Sequence, residues 1–184
     1  MPKLVLVRHG QTVHNRLGLI QGRTDTELSP EGEAQARKLA VELREEPFDR
    51  VYSSPLKRAF RTAEIIVQGR DIAITTDDRL VEIDQGDWTS QNGRELFMTS
   101  EQYKKWVIDP TKTGPPNGET IHEVLKRANS FFGDIKGDNI LLVAHGGVIA
   151  VMRTVLESHP LDKAWELLMG NGQAIVLTIS NTII

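Results

Sequence analysis

Asn139-Ile140-Leu141-Leu142-Val143-Ala144 runs without a break into His145-Gly146-Gly147. The apolar residues do not alternate with polar ones, which is how a strand reads when both of its faces are covered. Leu4-Val5-Leu6-Val7 has the same character and leads into Arg8-His9-Gly10. Arg50–Ser53, 175–180 and the shorter 72–75 are further predicted strands. Helical patterns lie between them. Ser29-Pro30 reads as an N-cap followed by proline at the first helical position, ahead of an apolar stripe at Ala34, Leu39, Ala40 and Leu43. Ser54-Pro55 repeats that device before Ala59, Ala63 and Ile66, and Thr120 with Glu123 forms a capping box before Ile121, Val124, Leu125, Ala128, Phe131 and Phe132. Residues 148–156 and 162–169 are predicted as two more helices. Short apolar strands alternating with amphipathic helices define an α/β protein.

The chain has 184 residues, the size of one domain, and needs no disulfide or metal to hold its core. We expect a single domain over 1–184. Within it the pattern degrades over about 84–118: Tyr103-Lys104-Lys105-Trp106 makes a short helix at best, and 109–118 is a loop rich in Pro and Gly. This stretch reads as an irregular, lid-like insertion over one end of the sheet.

Composition closes several function classes. There is no cysteine, so thiolate nucleophiles, iron–sulfur clusters and Cys-type zinc sites are excluded. Twenty-two basic against 25 acidic residues give a net charge of −3, which argues against a nucleic-acid binder. The apolar run at the N-terminus is too short for a signal-peptide core, and the run 140–152 is interrupted by His145-Gly146-Gly147 and too short for a membrane span. The expectation is a soluble cytoplasmic protein without a membrane partner, with a homodimer left open.

Ligands of open α/β sheets bind beyond the carboxyl ends of the strands. Arg8 and His9 follow the first strand, His145 follows the strand 139–144, and Arg58 lies just after Arg50–Ser53. Cationic groups gathered at one sheet edge need a partner, and an anion is the simplest. The guanidinium fork suits phosphate, and Gly146-Gly147 leave backbone amides open at a helix start. A neutral imidazole can attack phosphorus, and one carboxyl group can protonate the departing oxygen and then activate water. The carboxyl candidate is Glu82, in an otherwise apolar stretch where partial desolvation would raise its pKa. Taken singly, His9 reads better as a satisfied core histidine, Arg8 and Arg58 as ion-paired residues, Glu82 as a loop carboxylate and Gly146-Gly147 as a packing feature. Their concurrence at strand ends carries the catalytic reading. His14, His122 and His159 lie in polar contexts, and Trp88, Trp106 and Trp165 read as packing.

Leu6-Val7-Arg8-His9-Gly10-Gln11-Thr12 resembles the signature of the histidine phosphatase superfamily, the phosphoglycerate mutase-like proteins. Ser53-Ser54-Pro55-Leu56-Lys57-Arg58-Ala59, Glu82 with Gly86-Asp87-Trp88, Pro116-Asn117-Gly118-Glu119-Thr120 and Val143-Ala144-His145-Gly146-Gly147 resemble its later motifs, in order. The resemblance implies a three-layer α/β/α sandwich with a mostly parallel sheet. It implies His9 as the transiently phosphorylated nucleophile, with Arg8, Arg58 and His145 around the phosphoryl group and Glu82 as acid and base. Asn15, Gln21, Gly22 and Gly146 would complete the phosphate pocket, with no metal and no cofactor.

The substrate implied is a small-molecule phosphomonoester. His14, Thr89-Ser90 and Pro55 depart from the usual pattern at the pocket rim, so substrate choice is what they affect. Mutases of the superfamily carry a more basic segment after the general acid, where this chain has only Arg94, Lys104, Lys105 and Lys112. The reading is therefore a phosphatase, similar to the broad-specificity and α-ribazole phosphatase branch. A cofactor-dependent phosphoglycerate mutase and a non-catalytic phospho-ligand binding module are the alternatives.

Overall fold

A computed structural model describes residues 3–178 of the chain. Its centre is a five-stranded sheet: β1 (Lys3–Arg8), β2 (Arg50–Ser53), β3 (Ile74–Thr76), β4 (Asn139–Ala144) and β5 (Ala174–Thr178), in the order β3-β2-β4-β1-β5. β1, β2, β3 and β4 are mutually parallel, and β5 runs antiparallel to β1 at one edge. The predicted strand 72–75 is displaced to Ile74–Thr76. The end of the predicted strand 175–180 falls outside the described residues.

The unalternating strands are buried on both faces, as their sequences require. Leu4, Leu6, Ile140, Leu142 and Ala144 face one apolar core; Val5, Val7, Leu141 and Val143 face another. The first core is covered by α6 (Ile121–Asp134) and α7 (Gly146–Leu156), the second by α2 (Pro30–Glu42) and α3 (Lys57–Val67). The result is a three-layer α/β/α sandwich. Each buried Leu, Val or Ile contributes on the order of 1.5–3 kcal/mol, so the sheet is a rigid floor for the loops at its carboxyl edge.

Local signals account for most helix starts. The Ser29 hydroxyl accepts from the Gly32 amide, with Pro30 opening α2, and Thr120 and Glu123 form the expected capping box on α6. Four sequence-based expectations change. The buried stripe of α2 is Gly32, Ala36 and Leu39 followed by Leu43, while Ala34 faces solvent, because successive residues turn by about 100°. Ser54 does not cap α3, which starts three residues later with no side-chain cap. α7 begins at Gly146, not at 148, so His145 is its N-cap. Residues 161–167 form a 3₁₀ stretch in place of a full helix.

The stretch after β3 is more ordered than its sequence suggests. It carries α4 (Gly93–Thr99) and α5 (Glu101–Ile108), each capped by the residue before it: Asn92 for α4 and Ser100 for α5. Val13–Arg16 adds a one-turn helix, α1, with a capping box between Thr12 and Asn15. Among the described residues, no helix is long and apolar enough to cross a membrane.

Candidate active site

Sheet register brings the key residues level. Arg8 pairs with Ala144 and Ser53 with Val143, so His9, His145 and Ser54 each stand one residue beyond a strand. Backbone bonds continue the ladder past the strands: His9 N donates to Ala144 O at 3.0 Å, and Ser54 N to Val143 O at 3.0 Å. The chain after His9 crosses α2 so closely that a Cβ on Gly10 would lie 2.3 Å from Gly32 O, and both positions must be glycine.

His9 is 2% exposed. Its Nδ1 lies 2.7 Å from its neighbour Gly10 O, an acceptor only, so Nδ1 carries the proton and Nε2 is the free base. Arg58 Nε donates to that Nε2 at 3.3 Å. Arg58 is 1% exposed and, among the described residues, makes no salt bridge; its other donors go to Gly22 O at 2.8 Å and Thr24 O at 2.6 Å. Arg8 donates to Met169 O, and its Nε is buried without a partner. Burial pushes both guanidinium pKa values down, against the opposing pull of the Glu82 carboxylate. Asp25 pulls on Arg58 in the same direction as Glu82. A buried and a part-buried guanidinium, with no carboxylate within ion-pair distance of either among the described residues, leave positive charge free for an anion.

His145 is fully buried beside His9, its ring edge-on to the His9 ring at 5.1 Å between centroids. Its Nε2 is 2.7 Å from Ser54 Oγ, and its Nδ1 is buried without a partner. Glu82 Oε1 accepts from Ile83 N at 2.9 Å, and Oε2 from Gly147 N at 3.4 Å. A Cβ at Gly147 would press on Ile83 and on Glu82 Oε1 at 2.9 Å; one at Gly146 would sit 3.1 Å from Arg8 Cζ. The glycine pair thus lets a helix start lie directly against both charged groups.

Arg8, His9, Asn15, Gln21, Arg58 and Glu82 line a cleft of about 190 Å³, with Gly22 beside them. The Gln21 carbonyl oxygen is held by Thr12 Oγ1 at 2.9 Å and Thr26 Oγ1 at 2.6 Å. Asn15 Oδ1 accepts from Thr12 N at 3.0 Å and Asn171 Nδ2 at 3.2 Å. Both amides therefore turn their NH₂ ends away from these donors.

Both histidine pKa values lie well below the usual 6.5, mainly through burial and then through the nearby Arg58 charge; Arg8 acts in the same direction. Between those depressed values and 6.5 the unfolded chain binds protons that the native site refuses. Stability therefore falls as pH drops below 6.5 and is independent of these two groups above it. The slope approaches ~1.4 kcal/mol per pH unit for each histidine. Urea unfolding between pH 7.5 and 5.5 should show this loss, and His9→Ala should remove close to half of the histidine share. An unchanged slope in that variant would contradict the buried neutral state.

The chain has relatives of known family. The sequence profile of the histidine phosphatase superfamily (branch 1) matches residues 4–182. The chain belongs to that superfamily. Phosphoserine phosphatase 1 of Hydrogenobacter thermophilus is 33% identical over 182 residues, covering 96% of this chain and 86% of the relative. The adenosylcobalamin/α-ribazole phosphatase of Salmonella typhimurium is 34% identical over 175 residues, covering 92% and 87%. Among solved structures, a mycobacterial glucosyl-3-phosphoglycerate phosphatase in complex with VO3 superimposes with a TM-score of 0.87 at 31% identity, covering 97% of this chain and 93% of that one.

Within this histidine phosphatase, sequence reasoning missed three side chains. Ser54 holds His145 but reads as a helix cap, since a Ser-Pro pair is a local cap signal. Asn171, which donates to His9 O at 3.2 Å and to Asn15, stands between Gly170 and Gly172 just after the predicted helix 162–169, where nothing local marks it as a site residue. Gln85 is 7% exposed and lines the cleft, and no local pattern marks it.

Proposed function

We propose that this chain is a metal-independent phosphomonoester hydrolase working through a phosphohistidine on His9. The observation that carries the reading is the His9 ring: Nδ1–H is fixed on Gly10 O, and Nε2 faces a cleft walled by two guanidiniums. In the first step Nε2 attacks phosphorus, the ester P–O bond breaks, and Glu82 gives its proton to the departing oxygen. In the second, Glu82 takes a proton from water, the hydroxide oxygen bonds to phosphorus, and the P–N bond breaks to release inorganic phosphate. Arg8 and Arg58 hold the non-bridging oxygens as charge shifts onto them. A phosphoryl oxygen would also satisfy the unpartnered Arg8 Nε and His145 Nδ1. Asn15 and Gln21 offer their NH₂ ends, and Gly22 holds Arg58 in place.

Hydrolysis is favoured over mutase chemistry by the surroundings of the cleft. A mutase must retain and re-dock an anionic product, yet none of Arg94, Lys104, Lys105 or Lys112 lines the cleft or its neighbouring recess. Residues 84–118 act in this reading as the lid of a single domain. The test is phosphate release from a panel of phosphomonoesters in EDTA, with trapping of an acid-labile phosphoenzyme. Release without added metal is expected. Interconversion of phosphoglycerates on addition of bisphosphoglycerate, with no release, would turn the assignment to a mutase. Phosphate binding with neither reaction would turn it to a binding module.

A further inference from the structure

Beside the phosphate cleft lies a second hollow of about 380 Å³. The two share three residues, Arg8, Glu82 and Gln85. Glu82, the proposed acid, therefore stands at the seam between them, where the oxygen bridging phosphorus and alcohol must lie. The far wall is apolar and comes from three separate parts of the chain. Ile83 is beneath, Tyr103, Trp106 and Val107 come from α5, and Trp165 and Leu168 come from the 3₁₀ stretch and its end. The aromatic rings are braced on one another: Trp106 and Trp165 at 4.9 Å between centroids, Tyr103 and Trp106 at 5.8 Å. Trp165 Nε1 donates to Trp106 O at 3.0 Å, which ties the two walls together.

Charge is as informative as shape. Among the described residues, the only charged side chains lining the hollow are Arg8 and Glu82, and both are engaged by the phosphoryl transfer. A carboxylate or ammonium on the leaving group would find no free side-chain counter-charge, only the Gly146-Gly147 backbone at the start of α7, whose Gly147 amide already faces Glu82, and would lose its water for apolar rings. Gln85 Oε1, buried without a partner, gives the seam one polar handle. Val107 and Leu168, 36% and 50% exposed, leave an apolar rim open to an incoming ring.

We propose that this hollow is the leaving-group subsite and that it selects phosphomonoesters of neutral, apolar or aromatic alcohols over those of amino acids and hydroxy acids. The proposal rests on the phosphatase reading and adds the substrate class. It is tested by kcat/KM for benzyl phosphate, 1-naphthyl phosphate, phosphoserine and 3-phosphoglycerate. In parallel, the non-hydrolysable benzylphosphonate and phosphonoacetate are titrated by tryptophan fluorescence or calorimetry. The expected result is a preference of about tenfold or more for the aromatic esters, carried mostly by KM, with the same order in phosphonate affinity. Leu168→Lys, at a half-exposed position that folding tolerates, should narrow that preference by roughly threefold or more by giving an anionic alcohol a partner. Equal or reversed preference, in turnover or in binding, would overturn the subsite. If no ester is turned over, the phosphatase reading fails. The phosphonate titration then still decides the hollow: tighter benzylphosphonate supports it, and equal affinity refutes it.

Discussion

His9→Ala should lose about 10⁴-fold or more of kcat/KM on every phosphomonoester, the scale seen when a covalent nucleophile is removed. Fold should survive the change. The backbone around His9 is held independently of its ring, by His9 N to Ala144 O, by Gly10 N to Thr62 Oγ1 at 3.1 Å, and by Asn171 Nδ2 to His9 O. The variant also relieves the site of a buried histidine, so it should melt cooperatively and resist acid better than the parent. The measurement is paired: phosphate release and phosphoenzyme trapping on a sample whose thermal transition has been recorded. Retained turnover in a folded sample would remove His9 from the nucleophile role.

Glu82→Gln separates the acid from the rest of the machinery. The amide keeps the size of the carboxylate and one acceptor for the Ile83 and Gly147 amides. It cannot donate the proton an alkoxide needs. In the first turnover, alkyl phosphates should slow by about 10²–10³-fold, while nitrophenyl phosphate, whose leaving group needs no proton, should slow less than about tenfold. Loss of the base then shows as a burst: one equivalent of nitrophenolate per enzyme, followed by slow hydrolysis of the phosphohistidine. Equal first-turnover losses on both ester types would mean that Glu82 is not the acid.

The fold was legible where one segment carries its own instruction. The runs at 4–7 and 139–144 have no alternation, and burial on both faces leaves them no place but the middle of a parallel sheet. Thr120 and Glu123 cap α6 because the capping box is closed within four residues. Reading failed where a local signal was used by a distant partner. Ser54-Pro55 has the form of a cap, yet the hydroxyl goes to His145, 91 residues away. Tyr103 to Trp106 look like a scrap of helix, but Asn92 and Ser100 cap two real helices and aromatic packing fixes them against Trp88 and Trp165.

By itself, the sequence determined which residue types stand at the strand ends: Arg8-His9-Gly10 after β1 and His145-Gly146-Gly147 after β4. Strand and helix signals act over a few residues, and these residues follow directly from them. Only the tertiary structure decided what those groups do to one another. Sheet order put Arg58 against His9 across 49 residues, with no carboxylate in ion-pair contact among the described residues. A single carbonyl fixed the proton on His9 Nδ1. The aromatic wall arose where α5 meets a segment 59 residues further on. Protonation state, charge balance and pocket shape depend on partners that the chain brings together only when the sheet has formed, and no local pattern encodes them.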